Sequence, residues 1–477
     1  LLADIIGPVT SLRLVNIMFF ALSAGLVFRL GLISCNRRAG LFAALILIGL
    51  PRIFGHSLIY GMDMPMAFMW LLTVFCFIKG LENKYWSLLT GFCLGLALLT
   101  KINAVLLPIV FLLWPLFVIV LRYFCRERNR PGQVTSGVGA GRLIDILKQA
   151  KWNFLSIFFV SPLVMFCLWP RLWYHPVALI KAYFLNKIDR MVIPVYYLGQ
   201  QYTQDHAPWH YPLVLILFTV PVVTWILFAA GVFSYARKIG GDIEGNKAEV
   251  KTSQSKAELE KNGIILTGIS KNEIGLLIIL CFDLQLFLAV LPGVPKYDGV
   301  RLFLNIFPFM ALVAGWGADW LWSKFKTTKN MTRIIAAGSF AALFILPLYQ
   351  SRPFYLSYYN ELAGGIKGAK KIGLETTYWG ETCNDDILNW LNKNLAPGAK
   401  VCIYPLGSQV ASIWKILGRV RPDIEIDSDY KRGDYDYLVL NCRQGFFDEQ
   451  LWNIYKNKKP LFDLQQGGVS VIKIYKF

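Results

Sequence analysis

Charge is scarce in this sequence. Asp, Glu, Lys and Arg make up 17% of 477 residues, against 55% hydrophobic. With a mean hydropathy of +0.47, the chain is excluded from the ordinary soluble globular class. Its nine cysteines show no CxxC or CxxxC spacing. Cys35, Cys76, Cys93, Cys125, Cys167 and Cys281 lie in or beside apolar runs and read as small packing residues. Cys383, Cys402 and Cys442 lie in a polar tail, where at most one disulfide can form. Internal repeats are absent, as are paired apolar runs broken by Gly or Pro, which counts against a transporter. There is no signal-peptide pattern and no initiator Met, and the chain starts in mid-pattern. The expectation is one more span and an outer loop upstream.

The apolar residues are concentrated in ten nearly charge-free runs: 12–33, 41–53, 64–78, 88–99, 104–121, 154–169, 211–233, 274–292, 302–322 and 334–348. Several approach the roughly 20 residues that cross about 30 Å of hydrocarbon. Spans of this kind are helical, because lipid offers no partner for a free backbone N–H or C=O. The expected fold class is a polytopic α-helical membrane protein with about ten transmembrane helices. The net charge of +19 suits cytoplasmic loops, and nucleic acid is not expected as a partner.

Setting the Lys- and Arg-rich connections inside puts 37–38, 79–84, 122–151, 237–271 and 324–333 in the cytoplasm. The connections 51–63, 171–210 and 292–301, the break at Lys101, and everything after Gln350 then fall outside. The alternation is consistent through every span. Residues 240–262, rich in Gly, Lys, Glu and Ser, read as a flexible linker. Beyond about 353, strands are expected at 401–405, 437–441 and 469–475, and helices at 408–417 and 448–456. The expected division is a membrane domain over 1–350 and a small extracytoplasmic α/β domain over 351–477.

All four histidines fall on the outer side: His56, His175, His206 and His210. So do Asp63, Asp205 and Asp298, with the cations Arg52, Lys101, Arg171, Lys296 and Arg301. Asp63 reads as a helix N-cap, with Pro65 in the first turn. Each of these groups could simply anchor a helix end, Trp173 and Trp209 suit an interfacial belt, and Lys101 could snorkel to headgroups. Together they suit different chemistry. Cations at this depth suit a phosphate. Carboxylates suit a general base or a divalent metal such as Mg or Mn, with Asp63 and His56 as candidate ligands. A sugar on a lipid phosphate has a good leaving group, so it needs an acceptor hydroxyl, a base and positive charge on the departing phosphate.

Pro51-Arg-Ile-Phe-Gly-His-Ser57 with Met62-Asp-Met-Pro65, then Gly95-Leu-Ala-Leu-Leu-Thr-Lys101, resemble the early membrane segments of the protein O-mannosyltransferase and aminoarabinose transferase group, of GT-C fold. Pro208-Trp-His-Tyr-Pro212, Lys296-Tyr-Asp-Gly-Val-Arg-Leu-Phe-Leu304, Tyr358-Tyr-Asn-Glu-Leu-Ala-Gly-Gly365 and Tyr378-Trp-Gly-Glu381 are similar to its prokaryotic branch. The resemblance runs from about residue 12 to 381. It implies an inverting glycosyltransferase in the cell (plasma or inner) membrane, taking sugar from a polyprenyl-phosphate donor to a lipid, glycan or protein acceptor outside. Asp63 matches the family's motif aspartate, and Thr100-Lys101 its Thr-Lys. The family's best-known catalytic carboxylate lies in a first outer loop that is absent here, so the sequence names no principal base. The expected site is Asp63, His56 and Asp298 as catalytic groups. Arg52, Lys101, Arg171, His175, His206, His210, Lys296, Tyr297 and Arg301 are expected to bind substrate. The competing reading is a transporter or flippase for a lipid-linked or anionic substrate.

Overall fold

Each of the ten apolar runs folds as helix in the computed structural model, which describes residues 7–129, 138–185, 192–241, 269–324, 330–378 and 380–477. The membrane helices and their connections are α1 (Pro8–Ser34), α2 (Arg37–Ile48), α3 (Pro51–Ser57), α4 (Asp63–Gly80), α5 (Lys84–Thr100), α6 (Leu106–Asn129), α7 (Val138–Leu168) and α8 (Pro176–Leu185). A hairpin follows, β1 (Pro194–Tyr197) and β2 (Gln200–Thr203), then α9 (Tyr211–Thr219), α10 (Val222–Gly241), α11 (Lys271–Val290), α12 (Phe307–Lys324) and α13 (Asn330–Ser351). Among the described residues, eight helices are long and apolar enough to cross a membrane, or nine if one bent pair counts as a span.

The shortfall from ten has two causes. Helix α5 has 17 residues, just under a span's length, and α2 is bent from α3 by 71°. Proline makes that bend. Leu50, just before Pro51, is extended at φ −83°, ψ 106°, as a residue before proline prefers. The same device divides the run 211–233, where Val220, before Pro221, is extended at φ −98°, ψ 133°. Two apolar runs are therefore broken by proline, where the sequence reading marked no such pair.

By their contacts the residues divide into two compact units: Leu1–Arg190 with Val223–Leu288 and Phe303–Ile345, and Met191–Val222 with Ala289–Leu302 and Leu346–Phe477. In the first, helices approach through small residues, as membrane helices do. A Cβ on Gly91 of α5 would collide with the backbone of Ser156 on α7, and one on Gly317 of α12 with the carbonyl of Leu227 on α10. Beside Gly91, Asn153 on α7 donates to the Phe77 carbonyl, and the Thr90 hydroxyl donates to the Asn153 side-chain oxygen. Buried acids are neutralised locally. Glu273 meets Arg122 at 2.9 Å and Arg142 at 2.8 Å, and Asp319 meets Arg38 at 2.9 Å.

The second unit holds a five-stranded mixed sheet of order β4-β3-β5-β7-β6. Its strands are β3 (Lys400–Tyr404), β4 (Glu425–Asp427), β5 (Tyr437–Asn441), β6 (Phe462–Gln466) and β7 (Val469–Lys476). Helices α14 (Gly365–Lys371), α15 (Asp385–Asn394), α16 (Ser408–Ile416) and α17 (Glu449–Asn457) accompany it. One face of the sheet packs Val401, Val439 and Ile472 on Ile387 and Leu391 of α15. The other packs Leu438, Leu440 and Tyr475 on Leu451 and Ile454 of α17. The strands expected from period-two patterning are present, together with β4, β6 and α15, which the sequence reading did not mark.

Cys383, Cys402 and Cys442 are free thiols. Cys402 faces Leu438 across β3 and β5, and Cys442 lies four residues further on, about 13 Å along a strand and beyond disulfide reach. Of the cysteines read as packing residues, Cys35, Cys76, Cys93 and Cys281 are buried and Cys167 is exposed. The linker expected over 240–262 falls almost wholly on residues outside the described ones, as does Trp379.

Candidate active site

In the first unit the site begins on α3. Arg52 and His56 are four residues apart, so they share a helix face, and both are buried. The loop after them is pinned from α1, where the Asn16 side-chain amide donates to the carbonyls of Ile59 and Gly61. That loop delivers Asp63. Helix α4 begins on Asp63 itself, behind Met62, which makes no capping hydrogen bond; Asp63 is thus the first helical residue and not the expected N-cap. Its carboxylate accepts from the Lys101 ammonium at 2.8 Å. Lys101 ends α5 in extended conformation, before a 3-10 turn over Ile102–Val105. The break that the sequence shows as Thr-Lys inside an apolar run is therefore what turns the cation toward Asp63. Asp63 is almost wholly buried, whereas the Lys101 side chain is 23% exposed, so the pair is open on the lysine side. Arg171 lies in a 3-10 turn and His175 just beyond it, both exposed. Among the described residues neither makes an ion pair.

The second unit collects the remaining candidates. His210 shares a 2.6 Å hydrogen bond with the Tyr197 hydroxyl, and His206 one of 2.8 Å with Thr203. Lys296 is buried, and its ammonium donates to the carbonyls of Leu291 and Val294, both at 2.9 Å. Burial lowers its pKa, with Asp205 pulling the other way. This lysine closes its own loop. Tyr297 is half-buried beside it.

The turn Asp298-Gly299 is left-handed at both residues, φ 55° and 67°. Gly299 adopts this freely, and Asp is one of the few other residue types that enters this region, at less cost than most. The surroundings hold it. The Gly299 N–H donates to the Tyr211 hydroxyl at 3.1 Å. The Asp298 carboxylate accepts from Arg301 at 2.8 Å and, at its other oxygen, from Arg443. Arg443, stacked on Phe446 at 4.5 Å, continues to the Glu375 carboxylate at 3.9 Å, which also accepts from the Gly445 N–H at 3.1 Å. Burial pushes Glu375 up to about 7, against the pull of Arg443 and the Gly445 N–H.

Sequence reasoning missed Glu375 and Arg443. Glu375 could have been found as the one charged residue in Gly-Leu-Glu-Thr-Thr-Tyr378, between two motifs that were singled out. Arg443 carried no such sign.

Among the described residues no group of three or more His, Cys, Asp or Glu could hold a metal ion. Asp63, one of the two candidate ligands, already meets a cation. Among the described residues, Asp63 and His56 are therefore not joined by a third ligand of these types.

No curated protein matches this chain. Among solved structures, ArnT from Cupriavidus metallidurans bound to undecaprenyl phosphate is 13% identical, with 99% of this chain and 85% of that one covered, at a TM-score of 0.40. The Archaeoglobus fulgidus oligosaccharyltransferase in its apo form is 13% identical, over 84% of this chain and 48% of that one, at a TM-score of 0.37. This chain spans about half the length of the archaeal enzyme. None of these scores reaches the level at which a property could be carried across. The resemblance read in the sequence is borne out over the first quarter of the chain, where residues 3–128, holding Arg52, His56, Asp63 and Lys101, match the family described as dolichyl-phosphate-mannose-protein mannosyltransferase.

Proposed function

We propose that the chain is a GT-C glycosyltransferase that moves a sugar from a polyprenyl-phosphate donor to an acceptor hydroxyl on the extracytoplasmic face, with inversion. The observation that carries this reading is the pairing of buried Asp63 with the partly exposed Lys101 inside the segment that matches the mannosyltransferase family. In the same reading, residues 1–350 form the membrane domain and 351–477 an extracytoplasmic α/β domain.

The chemistry follows from the charges. The acceptor oxygen attacks the anomeric carbon as the bond to the phosphate oxygen breaks, and the phosphate leaves as an anion, so no general acid is required. Positive charge held where the anion develops lowers the barrier. Lys101 and Arg52 supply it, and Asp63 aims Lys101 until the phosphate arrives. His56, on the same face of α3 as Arg52, takes the acceptor proton in this scheme. Within the second unit, Asp298 is engaged by two guanidinium groups, and its role is to position Arg301, whose planar fork suits an anion.

A transporter of lipid-linked substrate remains the competing reading, favoured by the two proline-broken helices. Vesicles carrying the protein separate the two when given polyprenyl-phosphate sugars radiolabelled in the sugar. Transfer moves label from lipid to acceptor. Label that stays on the lipid but crosses the bilayer overturns the transferase.

A further inference from the structure

Helix α14 carries Lys367, Lys370 and Lys371, all exposed. Lys367 neighbours both of the others on the helix surface, at spacings of three and four, where like charges repel, and Lys370 also lies over the Tyr455 ring at 5.7 Å. Among the described residues, none of the three ammonium groups has a carboxylate within ion-pair distance. The only acid on the adjoining turn is Glu361, itself exposed. Large apolar side chains flank the cluster: Leu362 is 56% and Ile372 40% exposed. Basic residues between exposed apolar ones form a pattern that reads a lipid surface.

The position of this helix within its unit supplies the second argument. On one side, Asn360, just before it, donates through its N–H to the carbonyl of Phe218 at 2.8 Å, and through its side chain to those of Leu217 and Val220, both at 2.7 Å. Those carbonyls end the apolar helix α9. On the other side, the β6–β7 turn at Gly467-Gly468 is pressed against α14, close enough that a Cβ at either glycine would crowd Ile366 or Lys367. The neighbouring Gln466 donates to the carbonyl of Gln350 at 3.0 Å, in the last turn of α13. Tyr349 there is 74% and Leu346 53% exposed, as expected of a span end with an aromatic at the interface. Helix α14 is thus tied at both flanks to the ends of apolar helices, α9 and α13.

We propose that the lysine face of α14 docks on anionic phospholipid headgroups of the bilayer, with Leu362 and Ile372 entering the boundary beside them. Each lysine near such a surface is attracted to it, and the attraction is screened within a Debye length. The proposal rests on the chain spanning a membrane and holds whether or not sugar is transferred.

The test is amide hydrogen exchange of the full chain in nanodiscs of phosphatidylcholine alone or of an equimolar mixture with phosphatidylglycerol. Exchange over residues 361–372 is expected to slow by on the order of tenfold in the anionic discs. High salt, or the triple substitution K367Q/K370Q/K371Q, removes the difference, and K367R/K370R/K371R keeps it. Equal exchange in the two lipids overturns the proposal, as does a difference that survives in the glutamine variant. Protection that requires polyprenyl phosphate in neutral discs and ignores phosphatidylglycerol overturns it as well, since the occupant would then be the donor lipid.

Discussion

In the first unit Asp63 meets Lys101 at 2.8 Å, and part of that lysine's side chain is not covered by protein. In the second unit Asp298 meets two guanidinium groups, and one of them, Arg443, is as deeply buried as the acid and reaches on to Glu375. A pair with one uncovered side can open toward an incoming anion, because solvent or substrate replaces what the lysine leaves. Arg301 is about as exposed as Lys101, but Asp298 also keeps Arg443, which is deeply buried and reaches Glu375, and breaking that side costs several kcal/mol. The comparison assigns ligand exchange to Asp63 and Lys101, and shape to Asp298, Arg443 and Glu375. Substitutions can break or sharpen that contrast.

The largest effect is expected at Arg443. Arg443→Ala strips a buried cation from two carboxylates and should destabilise the second unit by about 3–5 kcal/mol, read as a fall in its unfolding midpoint in detergent. A loss below about 1 kcal/mol would remove the structural role.

Next comes Glu375. Its folded pKa of about 7 lies above its ordinary value of 4.5 because of burial. A carboxyl raised in this way penalises the folded state as pH climbs from 4.5 through 7, and the penalty is complete above that window. Its size is on the order of 3 kcal/mol. Glu375→Gln should therefore stabilise the protein at pH 8 and flatten the stability profile across the window, which thermal unfolding at a series of pH values checks. An unchanged profile would show that Glu375 does not titrate there.

Lys101→Ala leaves the Asp63 carboxylate buried without this cation. The partly exposed lysine limits the loss to about 1–3 kcal/mol. Asp63→Asn in the same chain should restore most of it, and additive effects would contradict direct coupling.

The smallest change is Arg301→Lys. Charge is kept, so stability should hold within about 1 kcal/mol, while transfer falls on the order of tenfold because a point charge replaces a fork. Full activity would return Arg301 to helix-end pairing.

How much of this was legible beforehand depends on the range of the signal. The apolar runs and the alternating strands β3, β5 and β7 are local patterns, and they were visible. The Lys101 break was visible too, because a cation inside an apolar run is costly enough to need a reason. Its partner was not, since Asp63 lies 38 residues away and only packing of α5 beside α4 joins them. The same holds for Arg443 with Asp298, 145 residues apart. The proline breaks at Pro51 and Pro221 were legible in principle, each residue before them being pushed out of helix, but the surrounding hydropathy concealed them. The partners of Lys296 were not legible either: its ammonium donates to carbonyls of its own loop.

The most direct test of the account is turnover of a polyprenyl-phosphate sugar by membranes carrying the protein or its Asp63→Asn variant, counting polyprenyl phosphate released against sugar transferred. The account predicts one released for each sugar moved, and a fall on the order of a hundredfold in the variant with expression and unfolding midpoint retained. Equal turnover by the two proteins would contradict it.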